Sequence, residues 1–152
     1  MLSDRSYTRF SMALPDWALR LVGKINVPLY RLTGGRLFGS VGGSPVVLLT
    51  TTGRKSGQER TAPVIFMRKG ASIVVIGSNA GNVRPPAWAL NLVANPDAEV
   101  QVGGKSWPVT ARVTEGQERA DLWRKFNEQY SGFDDYEAAT ARKIRVFVLD
   151  PR

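Results

Sequence analysis

A small β-barrel of about six mostly antiparallel strands, with helices inserted between them (α+β), is the fold class the sequence predicts. Three observations lead there. Short β-branched runs recur from Val46 to Leu149 with brief turn-forming connections, the pattern of a meander and not of βαβ units. Two connections, Lys69-Gly70 and Gly103-Gly104, have hairpin-turn composition. Finally, 152 residues with 43% hydrophobic and 22% charged content make one globular domain with a real core, and no internal repeat is visible.

Residues 1–36 precede the barrel as an amphipathic helical segment, and 37–152 form the barrel itself. Pro15 is a good first helical residue; Trp17, Leu21, Val22 and Ile25 follow on one face, with Asp16, Arg20 and Lys24 on the other. A second helical stretch, Val27–Leu32, ends at Gly34-Gly35. Two readings fit this segment: a helix laid on the barrel or a partner subunit, and a helix lying on an anionic membrane surface, given Arg5, Arg9, Arg20, Lys24, Arg31 and Arg36. No secretory signal is seen, so the chain reads as cytoplasmic, with peripheral contact at the inner face of the membrane as an option.

The strands are predicted over Val46–Thr52, Thr61–Arg68, Ser72–Ser78, Glu99–Val102, Lys105–Val113 and Ile144–Leu149. Pro108 predicts an edge or a bulge within its strand. Pro85-Pro86 opens a short helix over Ala87–Ala94 that Asn95-Pro96 stops. Thr114 and Gln117 have capping-box spacing, and a helix carrying Leu122, Trp123, Phe126 and Tyr130 on one face runs to Gly132. One or two further turns cover Asp134–Ala141.

The chain contains no cysteine and no histidine. Thiolate or imidazole metal sites, Cys nucleophiles and His-based triads are thereby excluded, and an organic cofactor is the natural carrier of any redox chemistry. The net charge of +8 favours polyanionic partners. Nucleic acid is not among them, because the aromatics are not interleaved with basic residues along the strands as stacking platforms require. The most concentrated cationic feature is the turn between the first two strands, Gly53-Arg54-Lys55-Ser56-Gly57-Gln58-Glu59-Arg60. Glycines at both ends permit positive φ, so the loop could form an anion nest of N–H groups ringed by three cations; a plain solvated hairpin tip is the other reading. Trp88 and Asn91, three apart on the short helix, either wall a ring site or pack the core. Tyr130, Phe133 and Tyr136 form either an aromatic lid or helix-to-sheet packing.

The run Leu48–Pro63 (LLTTTGRKSGQERTAP), followed by Gly77-Ser78, by Pro86-Ala87-Trp88-Ala89-Leu90-Asn91-Leu92 and by Asn95-Pro96, resembles the deazaflavin (F420)-dependent nitroreductase family over nearly the whole chain. The resemblance implies a split β-barrel of the FMN-binding, pyridoxamine-phosphate-oxidase-like kind. It also implies coenzyme F420 as cofactor, with FMN the weaker alternative, and hydride transfer to a hydrophobic quinone, enone or nitroaromatic. By position in the family motif, Arg54, Lys55, Ser56 and Arg60 would bind phosphate and tail carboxylates. Thr61, Ala62, Pro63, Val64 and Ile65, with Ile76, Gly77, Ser78 and Asn79, would frame the deazaflavin, while Ala87, Trp88, Ala89, Leu90 and Asn91 cover it and Phe133 sits at the mouth. Where relatives have Ser-Lys-Gly-Gly this chain has Ser78-Asn79-Ala80-Gly81, and Ala89 and Phe133 stand where tyrosines are common, which leaves Tyr130 and Tyr136 as substrate-side donors. The loss of phenols keeps a second possibility in view, a non-enzymatic F420- or lipid-binding barrel. Monomer and homodimer are both compatible.

Overall fold

The structure, a computed structural model, describes residues 27–34, 40–41, 44–78, 84–130 and 143–152. The helix expected from Pro15 and the turns expected over Asp134–Ala141 lie outside the described residues. Residues 27–33 form helix α1. The strands are β1 (Ser40–Val41), β2 (Ser44–Thr52), β3 (Glu59–Lys69), β4 (Ser72–Ile76), β5 (Asp97–Val102), β6 (Lys105–Val113) and β7 (Val146–Pro151); helices α2 (Ala87–Ala94) and α3 (Gly116–Gln129) complete the set. The sheet order is β1-β2-β3-β4-β7-β6-β5, and β5 pairs back onto β2 with Leu49 opposite Val100, so six strands close a barrel while two-residue β1 hangs from β2. Every pairing is antiparallel.

Strand alternation divides the apolar residues into two clusters. Val47, Leu49, Val64, Phe66, Ile73, Val75, Val100, Val109, Phe147 and Leu149 meet inside the barrel, where Ala89 and Leu92 of α2 join them. Met67, Val74, Ile76, Val146 and Val148 face outward and are covered by Leu122, Trp123 and Phe126 of α3. The face of α3 is therefore the one its periodicity predicts.

Its start is not. Glu115 is the N-cap and makes no side-chain cap bond, because the Thr114 hydroxyl donates instead to the Val146 carbonyl at 2.9 Å and Gln117 pairs with Asp121. A buried tie to β7 outcompetes the local capping box. The helix also stops earlier than Gly132, at Gln129, with the Tyr130 N–H bonded to the Phe126 carbonyl. Pro108 does lie at a local edge, as expected: β6 pairs with β5 at Glu99–Pro108, but its ladder with β7 starts only at Val109–Pro151, and there is no bulge. Its missing N–H is tolerated because β7 ends opposite it, where the terminal Arg152 N–H donates to the Pro108 carbonyl.

α1 is fastened to the barrel by Tyr30, which is 2% exposed. Its hydroxyl accepts the Gly103 N–H at 2.9 Å and donates to the Val46 carbonyl at 3.0 Å, with the Gln101 carbonyl 3.3 Å away. Tyr30→Phe would strand these buried backbone groups, and should lower unfolding free energy by about 2 kcal/mol in urea melts; an unchanged midpoint would show that α1 is not held this way.

α3 is pinned on the opposite flank by charge. Arg112 donates to both Glu118 carboxylate oxygens and, through Nε, to Asp150, while Lys69 Nζ reaches Glu118 at 3.1 Å. These partners, Arg112 first, hold the Glu118 carboxyl down at about 2, and Ser72 followed by Arg112 lowers that of Asp150. A carboxyl depressed in the folded state binds its proton more weakly there than in the unfolded chain. Its stabilisation is therefore complete above the ordinary value near 4.5 and is lost as pH falls toward 2. Glu118→Gln should flatten that acid limb of the stability curve; an identical limb in the variant would assign it to other groups.

Candidate functional site

The basic turn crowns the β2–β3 hairpin, whose last rung pairs Thr52 with Glu59. Gly57 takes φ +70°, as a left-handed turn position requires. Gly53 does not have positive φ, contrary to expectation; a Cβ there would crowd the Ser56 hydroxyl at 2.6 Å and the Gln58 carbonyl oxygen at 3.1 Å. Four of the loop's amides are not open to an anion. The Gly53 N–H donates to the Gln58 carbonyl, Gly57 to the Gly53 carbonyl, Gln58 to Ser56 Oγ and Arg54 to Asn91 Oδ1, so these four amides are spent internally. What the turn offers is side chains. Arg54, Lys55 and Arg60 are all exposed, and none of them enters an ion pair among the described residues. This is an uncompensated cluster of positive charge held by a tightly bonded loop.

Asn91, 5% exposed on α2, joins that loop to the helix. Its Oδ1 accepts from Arg54 N–H at 3.1 Å and its Nδ2 donates to Thr51 Oγ1 at 3.0 Å. A backbone N–H can only donate, which settles which end of the amide faces the turn. Ala89 packs with its Cβ 3.3 Å from where a Cβ on Gly77 would be, so the glycine lets α2 settle close over the end of β4. Trp88 is half-buried, against Phe147 at a centroid distance of 5.7 Å and the interior cluster.

Between hairpin and helix the barrel wall opens. β3 and β4 pair only from Phe66–Val75 down to Lys69–Ser72. Above that point β4 stays with β7 as far as Ile76–Val146, whereas β3 stays with β2 up to Glu59–Thr52. Residues 59–65 thus have a strand neighbour on one side only, and alternate N–H and C=O groups along them face away from β2. Thr61, Pro63 and Ile65, on the outer face of this stretch, are half-buried, while Val64 between them points into the core. Ile76, Gly77 and buried Ser78 form the other lip, where the Gly77 N–H bonds the Arg145 carbonyl. Tyr130 follows α3 and packs against the outer cluster. Its hydroxyl donates to the carbonyl of Phe66, the last residue paired to β4, at 2.9 Å, and its ring packs edge-on to Phe126. Burial pushes the Tyr130 phenol up, so it stays protonated.

The structure therefore assembles Arg54, Lys55, Ser56 and Arg60 at the tip, Thr61 to Ile65 along one lip, Ile76 to Ser78 on the other, and Ala87 to Asn91 beside them. Asn79, Phe133 and Tyr136 lie outside the described residues. Sequence reasoning did not foresee the Thr51–Asn91–Arg54 link, nor that Arg31 of α1 would donate to Thr61 Oγ1 at 3.1 Å.

The family model described as F420H(2)-dependent quinone reductase matches residues 22–151. An F420H(2)-dependent quinone reductase of Mycobacterium tuberculosis is 36% identical over 149 residues, which is 93% of this chain and 100% of the relative. Among solved structures, an F420-H2 dependent reductase (FDR-A) superposes with TM-score 0.65 at 38% identity, covering 70% of this chain and 94% of that one. A structure described as a domain-swapped dimer gives TM-score 0.67 at 34% identity over 89% and 98%. A pyridoxamine 5'-phosphate oxidase-like protein of Listeria innocua, 12% identical with TM-score 0.50 over 70% of this chain and 83% of that one, shares the fold alone. With a barrel split between β3 and β4 and relatives of this similarity, the chain belongs to the F420H(2)-dependent quinone reductase family, oxidoreductases whose cofactor is coenzyme F420.

Proposed function

We propose that this protein binds reduced F420 along the open edge of β3, grips its anionic tail with the β2–β3 turn, and reduces a hydrophobic electrophile of the quinone type. The observation that carries the reading is the continuity of the two features: residues 59–65, with a strand neighbour on one side only, rise directly into three cations that enter no ion pair among the described residues. Such a donor set fits a molecule with a flat, hydrogen-bonding ring and a tail of phosphate and carboxylates.

When bound, reduced F420 supplies the hydride. The chain's own work is to bind, orient and exclude water. Arg54, Lys55 and Arg60, with the Ser56 hydroxyl, hold tail anions; the alternating N–H and C=O groups of Thr61 to Ile65 fix the ring edge. Ile76 to Ser78 close the other lip, and Ala87 to Asn91 shield the upper end. Tyr130 keeps its proton and, with that proton on the Phe66 carbonyl, serves as a wall whose oxygen still has lone-pair capacity toward a substrate. By position in the family motif, Asn79 would help frame the ring and Phe133 would sit at the mouth, with Tyr136 a substrate-side donor.

Titration of the purified chain with F420 and with FMN tests this. F420 is expected to bind in the micromolar range and FMN more weakly, and quinones should then oxidise the reduced cofactor in the complex. Equal or tighter FMN binding would overturn the cofactor assignment, and tight F420 binding with no turnover across quinones, enones and nitroaromatics would leave a binding protein.

The apolar face of residues 15–25 and the cations around it support a membrane-surface source for the substrate. Among the described residues no helix is long and apolar enough to cross a bilayer. Removal of residues 1–26 should abolish co-flotation with anionic vesicles but not F420 binding; flotation that persists without them would refute peripheral attachment through this segment.

A further inference from the structure

We infer that Arg31, carried by α1 and not by the basic turn, is a fourth cation for the anionic tail of the cofactor, an inference that rests on the cofactor reading above. Its guanidinium donates through Nη2 to Thr61 Oγ1 at 3.1 Å, and the Thr61 hydroxyl lies 2.8 Å from that of Thr50. The Thr50–Thr61 rung is next to the Thr51–Arg60 rung and two below Thr52–Glu59, the last before the turn. Successive residues of a strand face opposite sides, so Arg60 shares its side with Thr51, and Arg31 meets the hairpin on the other, outer side with Thr61. That is the side on which Thr61, Pro63 and Ile65 line the open lip. A tail leaving the lip for the turn passes Arg31 first.

Three features make this a binding group and not a surface ornament. Arg31 is exposed and has no ion-pair partner among the described residues, so its charge is uncompensated. The bond to Thr61 uses one of its five N–H donors and leaves the rest of the planar fork for a phosphate or carboxylate. Its neighbour Tyr30 is anchored in the barrel, so the side chain starts from a fixed backbone and loses less freedom on binding.

The test compares Arg31→Gln and Arg31→Lys with the unaltered chain by fluorescence titration against three probes: F420 with its glutamates, the same chromophore bearing phosphate but no glutamate, and the untailed deazaflavin. Arg31→Gln should weaken full-length F420 by about tenfold, the value of one charge-assisted contact. It should leave the untailed probe and the thermal midpoint unchanged, with Arg31→Lys in between. A loss already present with the phosphate-only probe assigns the contact to phosphate, and one confined to the glutamylated probe assigns it to the carboxylates; either supports the inference. Unchanged F420 affinity in Arg31→Gln, alongside a loss in Arg54→Ala/Lys55→Ala, would overturn it while sparing the cofactor reading. An equal loss for the untailed probe would overturn it too, since Arg31 would then act through Thr61 on the lip. No F420 binding by the unaltered chain would remove the cofactor reading itself.

Discussion

Replacing Arg54 and Lys55 together by alanine is expected to weaken F420 binding by on the order of a hundredfold, with no change in the unfolding midpoint. Both side chains are exposed and neither enters an ion pair among the described residues, so their removal should cost the folded state little. The turn keeps its shape through backbone bonds and through Ser56. Each charge-assisted contact to a tail anion contributes about 1.5 kcal/mol at the low end appropriate to an exposed site, and two make roughly 3 kcal/mol. The affinity of the unaltered chain should also fall as salt is raised, and that of the variant much less, because the screened charges are gone. Fluorescence titrations at low and high ionic strength measure both. If affinity and salt slope survive the double substitution, the tail does not sit on this turn.

Asn91→Leu should do what the first variant does not: destabilise the protein and weaken cofactor binding at once. Leucine has the branching and heavy-atom count of asparagine but no polar atoms, so the Arg54 N–H and the Thr51 hydroxyl, 1% exposed, lose their partner. Leaving two such groups unsatisfied costs about 2 to 4 kcal/mol. The turn is then no longer tied to α2, and Arg54 is free to drift from the position that serves the tail. Urea unfolding read beside F420 titration separates the two effects. Adding Thr51→Val should recover part of the stability, since the stranded hydroxyl goes with it, but none of the affinity, because the Arg54 N–H remains unpaired. Affinity unaltered in stable Asn91 variants would reduce the residue to a packing role.

The elements themselves were legible because their signals are local. α2 runs over Ala87–Ala94 as its flanking prolines and Asn95 dictate, and six predicted strands all exist, with ends shifted by one or two residues where polar ends such as Ser44, Glu59 and Asp97 extend the ladder. That the chain makes a barrel was legible, but which strands close it was not, since Leu49 meets Val100 across a third of the chain and no short-range pattern records that pairing. Pro108 was legible as a local edge, since β7 pairs with β6 only from Val109 onward; that β7 is the neighbour there was not. Thr114 failed as a cap because a tertiary partner, the Val146 carbonyl, takes its hydroxyl. The basic turn was visible as chemistry, yet the link that holds it, Asn91 to Thr51, joins residues forty positions apart.

The one-sided stretch of β3 has a colloidal consequence. A row of strand edge left without a neighbour is a template on which another chain can add a strand, the usual first step of edge-to-edge aggregation. Pro63 interrupts the donor row in the middle of that stretch, and Arg60 places charge at its upper end, both of which discourage such docking. A molecule lodged along the edge would protect it further, so solubility and shelf life should track occupancy of the groove.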